Sequence, residues 1–360
     1  MLNRGIPSIN YADKDIFNLE TDRIFKQHWI FFGFKTDFSD EKLFIDKEIA
    51  GIPVFVSNIE GDLFAYYNVC PHRGSRLVNN EKAIGNKKSI VCQYHHWGFS
   101  VAEGTSNINK QDLIAKDEAC TSLKKIRVDT VGNFIFLNLS IEDSQSLSDY
   151  LGEYFEDLLL ASEILDFKAI ASRQIHHNCN WKHLIENVID NKHCAPVHKL
   201  TLASMGFCKN KPEANVNSLH SMFTINPANP DTSKKRQKLL KLIYKDTETV
   251  DYYKHILIFP NLTLSIFEGV HYTIGLVDPI NEKNCVYHTS YLRPSIADKN
   301  LSDSMEKNHV DTAIDIFNED IKMLNSLADN LYKTGFSGEV YEDEIRIVHF
   351  MQNYINKINQ

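Results

Sequence analysis

Two short segments of the chain each carry a cysteine and a histidine at the close spacing of metal ligands. In the first segment, CPHRG, His72 follows Cys70 by two residues; in the second, CQYHHW, His95 follows Cys92 by three. Thiolates and imidazoles are the ligands that zinc and iron sites use in proteins. Two loops of this kind would bring two sulfurs and two nitrogens together, so the sequence predicts a metal centre built from both segments.

The ligand set fits two kinds of metal centre. A zinc ion normally takes its cysteines as one pair along the chain and its histidines as another, whereas here each segment holds one of each. In a Rieske-type [2Fe–2S] cluster two thiolates hold one iron and two imidazoles hold the other, which raises the reduction potential above that of an all-cysteine cluster. The mixed pairs favour the cluster, and hence electron transfer, with zinc as the alternative. His96 offers a further imidazole, but the Cys-x-x-His spacing selects His95.

A second group of candidate ligands lies in residues 180–198, which read NWKHLIENVIDNKHCAPVH. Their pattern predicts a helix that begins with this segment and ends near Cys194, because the proline two residues later disfavours helical geometry before it. On that helix Asp190 and His193 share a face. Beyond the helix the chain can turn and bring His198 back toward His193.

A carboxylate from a later helix could complete this second site. The run 303–332 is strongly helical, and Asp320 falls within its apolar stripe, whereas Glu319 falls on or beside its polar side and needs no special partner. A buried carboxylate is costly unless a cation compensates it. Two histidines and one carboxylate form the facial triad that holds non-haem Fe(II). We therefore expect His193, His198 and Asp320 to bind a mononuclear iron, although each residue taken singly would more commonly be an ordinary core or surface residue.

The elements that must position these residues fall into three segments. Residues 1–40 are amphipathic, with a helix-like run at 21–30, and should form an N-terminal helical segment that packs on the catalytic domain. Residues 41–150 should form a small all-β domain for the cluster, because short β-rich runs separated by turns extend from about 42 to 140. Residues 141–165 are helical in period and should connect the domains. Residues 151–360 mix strand-like runs with long helices, which predicts an α+β catalytic domain with an antiparallel sheet flanked by helices.

Composition and charge exclude some functions. Apolar residues make up 43% of the chain and charged residues 24%, as in ordinary soluble globular proteins. A net charge of −8 argues against nucleic acid or an anionic membrane as the partner. No stretch is apolar enough to span a bilayer, and the first residues lack a secretory signal, so we expect a cytoplasmic protein with reduced cysteines. No G-x-G-x-x-G fingerprint for a dinucleotide is present, so electrons must come from a separate protein.

Both groups of ligands resemble motifs of one family, the Rieske non-haem iron oxygenases. CPHRG and CxYHxW are similar to the cluster motif of its Rieske domain. Residues 180–198 match the family signature N-W-K…E-N-x-x-D-x-x-H-x-x-x-x-H, and Asp320 in FNEDI stands at the position of the carboxylate ligand. Three positions depart from the pattern: Gln93 and His96 stand where the family has proline and glycine, and Lys192 stands where it usually has an aromatic residue.

The resemblance implies a Rieske [2Fe–2S] domain joined to a helix-grip (START-like) catalytic domain that holds a mononuclear Fe(II). It also implies a terminal oxygenase that uses O₂ to hydroxylate, or oxidatively demethylate, a small organic substrate. Electrons would come from a separate NAD(P)H-dependent reductase, with or without a ferredoxin. They would then pass between neighbouring subunits of a homotrimer through Asp190. The alternative for Asp190 is a salt bridge with Lys182 or Lys192.

The sequence constrains the substrate class less than it constrains the metal sites. An aromatic compound is slightly favoured over a quaternary ammonium compound of the choline, betaine or carnitine type, because Asp190 stands where carnitine-type enzymes have a glutamate. Aromatic side chains of the pocket could stack on a ring or bind a cation. Two other classes remain as alternatives: a Rieske electron carrier without oxygenase activity, and a ligand-binding module of the same fold. The residues expected to line the pocket are Asn187, Ile258, Phe259, Leu264, Phe267 and Tyr272.

Overall fold

The chain divides into two units, one formed by residues 25–150 and the other by residues 1–24 together with 151–360. The computed structural model describes residues 5–80, 82–86, 88–108, 113–114, 121–140, 145–167, 171–244, 247–296, 299–336 and 338–360. The start of the predicted connection, 141–144, lies outside them. The segment 1–40 is shared between the units. Its WIFFGF run, Trp29–Phe34, is a fully buried strand rather than the end of the predicted helix, because its apolar side chains fill both faces of a sheet.

The first unit contains two antiparallel sheets. Its described strands are β1 Trp29–Phe34, β2 Phe44–Ile49, β3 Ile52–Ile59, β4 Asp62–Tyr67, β5 Val78–Asn79, β6 Lys82–Asn86, β7 Ser89–Val91, β8 Gly98–Ser100, β9 Lys125–Val131 and β10 Phe134–Asn138. The larger sheet has the order β1-β10-β9-β4-β3-β2, and the smaller has the order β5-β6-β7-β8. The first Cys/His segment lies in the loop between β4 and β5, and the second lies in the loop between β7 and β8. Each loop therefore leads into a strand of the smaller sheet.

The second unit is built on a seven-stranded antiparallel sheet in the order β11-β17-β16-β15-β14-β13-β12. Its strands are β11 Ala171–His177, β12 Glu213–Asn217, β13 His220–Ile225, β14 Tyr253–Ile258, β15 Leu262–Phe267, β16 His271–Asn281 and β17 Asn284–Leu292. Neighbouring strands in the middle of the sheet follow one another along the chain as hairpins, which accounts for the antiparallel pairing. The antiparallel sheet predicted for this half of the chain is confirmed.

The described residues also form helices. They are α1 Lys14–Glu20, α2 Leu147–Leu151, α3 Tyr154–Ile164, α4 Trp181–Ile189, α5 Cys194–Val197, α6 Pro230–Ile243, α7 Lys299–Thr334 and α8 Ile345–Ile358, and a π-helical turn, Thr21–Phe25, follows α1. Helix α7 extends the predicted run 303–332 at both ends. The prediction that α4 reaches Cys194 is wrong. The helix ends at Ile189, and Asp190 leaves it in an extended conformation.

A buried charged pair fastens α1 to α4. The Lys182 ammonium group donates to Glu20, and both side chains are fully buried. Trp181 Nε1 donates to the same carboxylate at 2.8 Å, as does the Tyr354 hydroxyl at 2.7 Å. These hydrogen bonds satisfy a carboxylate that would otherwise be costly to bury. None of the helices within the described ranges is long and apolar enough to cross a membrane.

Candidate active site

The structure brings His193, His198 and Asp320 together from the start of α5, its end and the middle of α7. The two Nε2 atoms lie 3.1 Å apart, and Asp320 Oδ1 lies 3.5 Å from His193 Nε2 and 3.3 Å from His198 Nε2. Neighbouring ligand atoms on a metal with bonds of about 2.1 Å are about 3 Å apart at right angles. Asp320 is 6% exposed, and its Oδ1 has no hydrogen-bond partner among the described residues. These distances therefore fit three ligand atoms that would bind one face of a single metal ion.

The opposite nitrogen of each histidine is held by a carboxylate. Asp190 Oδ2 lies 3.0 Å from His193 Nδ1, and Glu319 Oε2 lies 2.9 Å from His198 Nδ1. An Nδ1–H that donates to a carboxylate fixes the tautomer, so the Nε2 lone pair faces the metal position and becomes a better ligand. Thr201 Oγ1 also donates to Glu319 Oε2, at 2.7 Å. The expectation that Glu319 needs no special partner is wrong, because α5 folds back onto this side of α7.

The two acids nearest the histidines have pKa values that move in opposite directions. Burial alone would raise the pKa of Asp190, but the hydrogen bond and charge of His193 outweigh it and lower the pKa. Burial raises the pKa of Asp320, and the nearby imidazoles only partly oppose this effect. Asp190 is therefore suited to remain an anionic acceptor. An anionic Asp320 calls for a cation at the triad.

Local structure explains how Asp190 reaches His193. Asn180 caps the start of α4 by accepting from the backbone N–H of Lys182, and Asp190 caps its end. The Asp190 side chain then accepts from the backbone N–H of Lys192 at 2.7 Å, which closes a tight turn that points His193 inward. The Lys192 ammonium binds Asp343 instead, and the Lys182 ammonium binds Glu20. In the described part of the chain, the alternative salt bridge of Asp190 with either lysine is therefore absent.

A cavity of about 470 Å³ opens on the triad. Of the six residues predicted to line it, Asn187 and Phe267 do so, whereas Ile258, Phe259, Leu264 and Tyr272 are buried elsewhere in the sheet or its loops. Alternation along a strand explains the error, because neighbouring residues point to opposite faces. Four aromatic rings contact one another along the cavity, with centroids 5.0–6.4 Å apart. They belong to Phe207, Phe223, Tyr253 and Phe267.

The polar lining of the cavity includes three histidines outside the triad, His255, His271 and His309. Burial lowers the pKa of His271 to about 4 and that of His309 to about 3. Burial also lowers the pKa of His255 well below its usual range, and the charge of Arg346 acts in the same direction. These three imidazoles are uncharged near neutral pH, so they do not repel a cationic ligand.

The first unit carries the other four predicted ligands on two similar loops. Cys70 Sγ accepts from the backbone N–H groups of His72 and Arg73, and Cys92 Sγ accepts from those of Tyr94 and His95. Such hydrogen bonds stabilise anionic sulfur and tune the potential of an iron–sulfur cluster. The pKa of Cys70 is raised by burial, whereas that of Cys92 is lowered by its hydrogen bonds in spite of burial. The feature that the two sulfurs share is therefore the pair of backbone N–H groups directed at each of them.

The loop histidines meet in the same place. The rings of His72 and His95 lie edge to face with centroids 4.4 Å apart, and Trp97 stacks on His72 at 4.6 Å. His72 Nδ1 is buried without a hydrogen-bond partner among the described residues, as expected of a nitrogen that faces a metal. His96 has a φ of +58°, a conformation that favours glycine. This backbone turn directs His95, rather than His96, toward His72.

One pair of cysteines departs from the expectation of reduced thiols. Cys194 and Cys208 form a disulfide, with their Cα atoms 5.5 Å apart. Cys194 directly follows the triad residue His193, and Cys208 directly follows Phe207 of the cavity. The bond therefore joins the two ends of the segment that contains His198.

Two family models match the chain. Residues 28–115 match the Rieske [2Fe-2S] domain, and residues 164–360 match the catalytic domain of the ring hydroxylating alpha subunit. The second match covers more than half of the 360 residues.

Several known proteins are similar to this chain. The carnitine monooxygenase oxygenase subunit of Escherichia coli (strain K12) is 29% identical over 197 residues, which cover 54% of this chain and 52% of that protein. The glycine betaine monooxygenase oxygenase subunit of Chromohalobacter salexigens is 30% identical over 205 residues, which cover 56% of this chain and 45% of that protein. The match thus spans about half the length of these curated relatives. The crystal structure of a quaternary ammonium Rieske monooxygenase in complex with an inhibitor superposes with a TM-score of 0.78 at 20% identity, covering 99% of this chain and 96% of the other.

Proposed function

Because the chain belongs to the ring-hydroxylating alpha subunit family and contains a Rieske [2Fe–2S] domain, we propose that it is the terminal component of an oxygenase system. The observation that carries this proposal is the triad of His193, His198 and Asp320, which opens on a cavity large enough for a small organic substrate. A carrier of electrons alone would need neither the triad nor the cavity. A module that only binds a ligand would not need three converging metal ligands with a buried carboxylate.

Residues of this chain would serve each chemical task of the proposed oxygenase. Cys70, His72, Cys92 and His95 would hold the cluster. When bound, a mononuclear Fe(II) at the triad would activate O₂ with electrons that the cluster supplies. The three triad residues all line the cavity, so a substrate in the cavity would lie beside a metal that they hold.

Asp190 is the residue that we propose as the link between the two metal centres. Its Oδ2 lies 3.0 Å from His193 Nδ1 and its Oδ1 accepts from the backbone N–H of Lys192, while the side chain remains 20% exposed. Because a carboxylate oxygen can accept more than one hydrogen bond, the exposed carboxylate can also accept from a group outside this chain. We propose that this group is a cluster histidine of a neighbouring subunit in a homotrimer. Electrons would enter from a separate NAD(P)H-dependent reductase, with or without a ferredoxin.

The substrate that we propose is a small quaternary ammonium compound, rather than the aromatic compound that the sequence slightly favours. Two relatives, a carnitine monooxygenase oxygenase subunit and a glycine betaine monooxygenase oxygenase subunit, support this choice. The aromatic wall suits it too, because a quaternary ammonium group is attracted to the faces of such rings. The neutral histidines add no opposing charge. An aromatic substrate remains the second candidate, since the same rings could stack on it.

Metal analysis with electron paramagnetic resonance on anaerobically purified protein tests the proposal. Three irons and two labile sulfides per chain are expected, with the spectrum of a Rieske cluster. Two irons would favour the electron carrier, an intact cavity without mononuclear iron would favour the binding module, and zinc in the loops would exclude the cluster. Oxygen consumption with a reductase, screened against quaternary amines and aromatic acids, then decides between the two substrates.

A further inference from the structure

Charged side chains are scarce in the cavity wall. Among the described residues that line it, Arg236 of α6 is the one with a permanent positive charge. Apart from the acids at the triad, Glu268 is the one acidic residue in the same wall. Glu268 is 3% exposed and accepts from Arg236 Nη2 at 2.8 Å. Burial raises the pKa of Glu268, and the charge and hydrogen bond of Arg236 oppose this effect. Glu268 thus holds the guanidinium group in place.

The guanidinium group of Arg236 has N–H donors that no described residue uses. Its Cζ lies 5.2 Å from the centroid of the Phe267 ring, so the ring supports one face of it. Within the described residues its one hydrogen bond goes from Nη2 to Glu268, although an arginine offers five N–H donors. The side chain of Arg236 is 36% exposed, whereas that of Glu268 is 4% exposed. A ligand in the cavity can therefore reach Arg236 but has little access to Glu268.

The polar groups near Arg236 suit an anionic part of a ligand better than a cationic part. His271 and His309 lie with ring centroids 4.8 Å apart, and His309 Nε2 is 3.3 Å from Thr273 Oγ1. Neutral imidazoles and a hydroxyl can each donate a hydrogen bond to an oxygen of a ligand. The planar fork of a guanidinium group matches a carboxylate in shape as well as charge.

We propose that Arg236 binds a carboxylate group of the substrate and that Glu268 is the positioning residue that orients Arg236. The proposal rests on the proposed function insofar as it takes this cavity to be the substrate site. It narrows the substrate class to molecules with a carboxylate at the end far from the oxidised group, such as zwitterions with a quaternary ammonium group. A quaternary ammonium alcohol would lack this anchor.

Matched ligands that differ in the carboxylate group test this assignment. Glycine betaine is compared with choline, and benzoate with benzyl alcohol, by calorimetric titration of the purified metal-loaded protein. In the wild type, the carboxylate of at least one pair should bind more tightly than its alcohol. Arg236→Gln should raise the Kd of that carboxylate roughly 10- to 100-fold, the loss expected for one charge-assisted hydrogen-bonded contact. The Kd of the alcohol should change less than about twofold.

Control variants separate the contact from general effects. Lys238→Gln removes a positive charge from the exposed side of α6 and should leave both Kd values unchanged. Arg236→Lys keeps the charge without the fork, so it should weaken the carboxylate to an intermediate degree. It also serves as the second variant should Arg236→Gln fail to fold. Glu268→Gln should reduce the preference for the carboxylate over the alcohol, whereas a merely structural role would weaken both ligands alike.

Two results overturn the assignment: equal binding of carboxylate and alcohol by the wild type in both pairs, or an equal loss for both members in Arg236→Gln. Oxygen consumption with the same ligands reports separately on the proposed function. If the protein prefers the carboxylate in a way that depends on Arg236 but consumes no oxygen, the carboxylate-binding role of Arg236 holds. The proposed oxygenase function is then wrong.

Discussion

Glu319 offers a test of how the second carboxylate of the site contributes to metal binding. Its Oε2 receives the Nδ1–H of His198 at 2.9 Å and the hydroxyl of Thr201 at 2.7 Å. Its neighbour on α7, Asp320, lies 3.3 Å from the other nitrogen of the same ring. Two consecutive residues of one helix therefore hold both sides of one imidazole. Removing Glu319 should leave His198 free to rotate and should lower the basicity of its Nε2.

The size of the effect follows from that single contact. Loss of a partner that orients a metal-bound histidine typically costs 10- to 100-fold in metal affinity, about 1.4 to 2.7 kcal/mol. Glu319→Ala should reach this range. Glu319→Gln should fall below it, because the amide oxygen can still accept from Nδ1–H, although less strongly than a carboxylate.

Competition with a chelator measures this difference. Each variant is loaded with Fe(II) anaerobically, titrated with a chelator, and assayed for the iron retained at the mononuclear site, while the spectrum of the cluster serves as an internal reference. Asp315→Asn removes the same charge one turn earlier on the exposed side of α7 and should behave as wild type. If Glu319→Ala retains its iron at the same chelator concentration as the wild type, the carboxylate does not support His198 in the way described.

Three further predictions concern other parts of the molecule. Asp190→Asn, which keeps an acceptor for His193 Nδ1, should retain both metals yet lose at least about tenfold in turnover; normal single-turnover electron transfer would exclude the proposed link. His96→Gly should keep the Rieske spectrum and His95→Ala should lose it, and the reverse result would assign the ligand to His96. His309, whose pKa burial lowers to about 3 from 6.5, is neutral when folded and takes up a proton on unfolding below pH 6.5. Stability should therefore fall as the pH drops below 6.5, by about 2 kcal/mol from this residue at pH 5. Urea unfolding of His309→Gln should show a shallower fall over that window, and an unchanged slope would contradict the neutral assignment.

The sequence predicts best those features that follow from local spacing. The four cluster ligands stay a prediction, and local spacing could suggest them because each pair lies within three residues on one tight turn. The antiparallel sheet followed from strand-like runs joined by short turns. The end of α4 was misplaced by several residues because the only local signal for it was a proline beyond it. The carboxylate of Asp190 competes for the last backbone groups of the helix, and this hydrogen bond stops it earlier.

The cavity lining was predicted poorly for a different reason. Apolar residues of a central strand look alike in sequence whether they face the cavity or the opposite side of the sheet. Phe267 and Ile266 are neighbours on β15, and only Phe267 lines the cavity. The strand register decides between them, and the register is set by pairing with strands that lie elsewhere in the chain. Arg236 could not be predicted from sequence, because it lies in the lysine-rich helix α6 and its partner Glu268 is 32 residues away.

The two carboxylates that hold the triad histidines show where prediction from sequence stops. Asp190 is three residues from His193, so a single turn of the chain brings them together, and the sequence alone suggested that it matters. Glu319 is 121 residues from His198 and differs from Asp320 by one step around α7. One step rotates a side chain by about 100°, which places Glu319 at the edge of the apolar stripe, where exposed acids are common. What distinguishes Glu319 is the segment at the end of α5, whose His198 Nδ1 and Thr201 hydroxyl both contact its carboxylate. A carboxylate next to a predicted ligand on a helix should therefore be examined as a partner of the same metal site whenever another ligand comes from a short turn that can cover it.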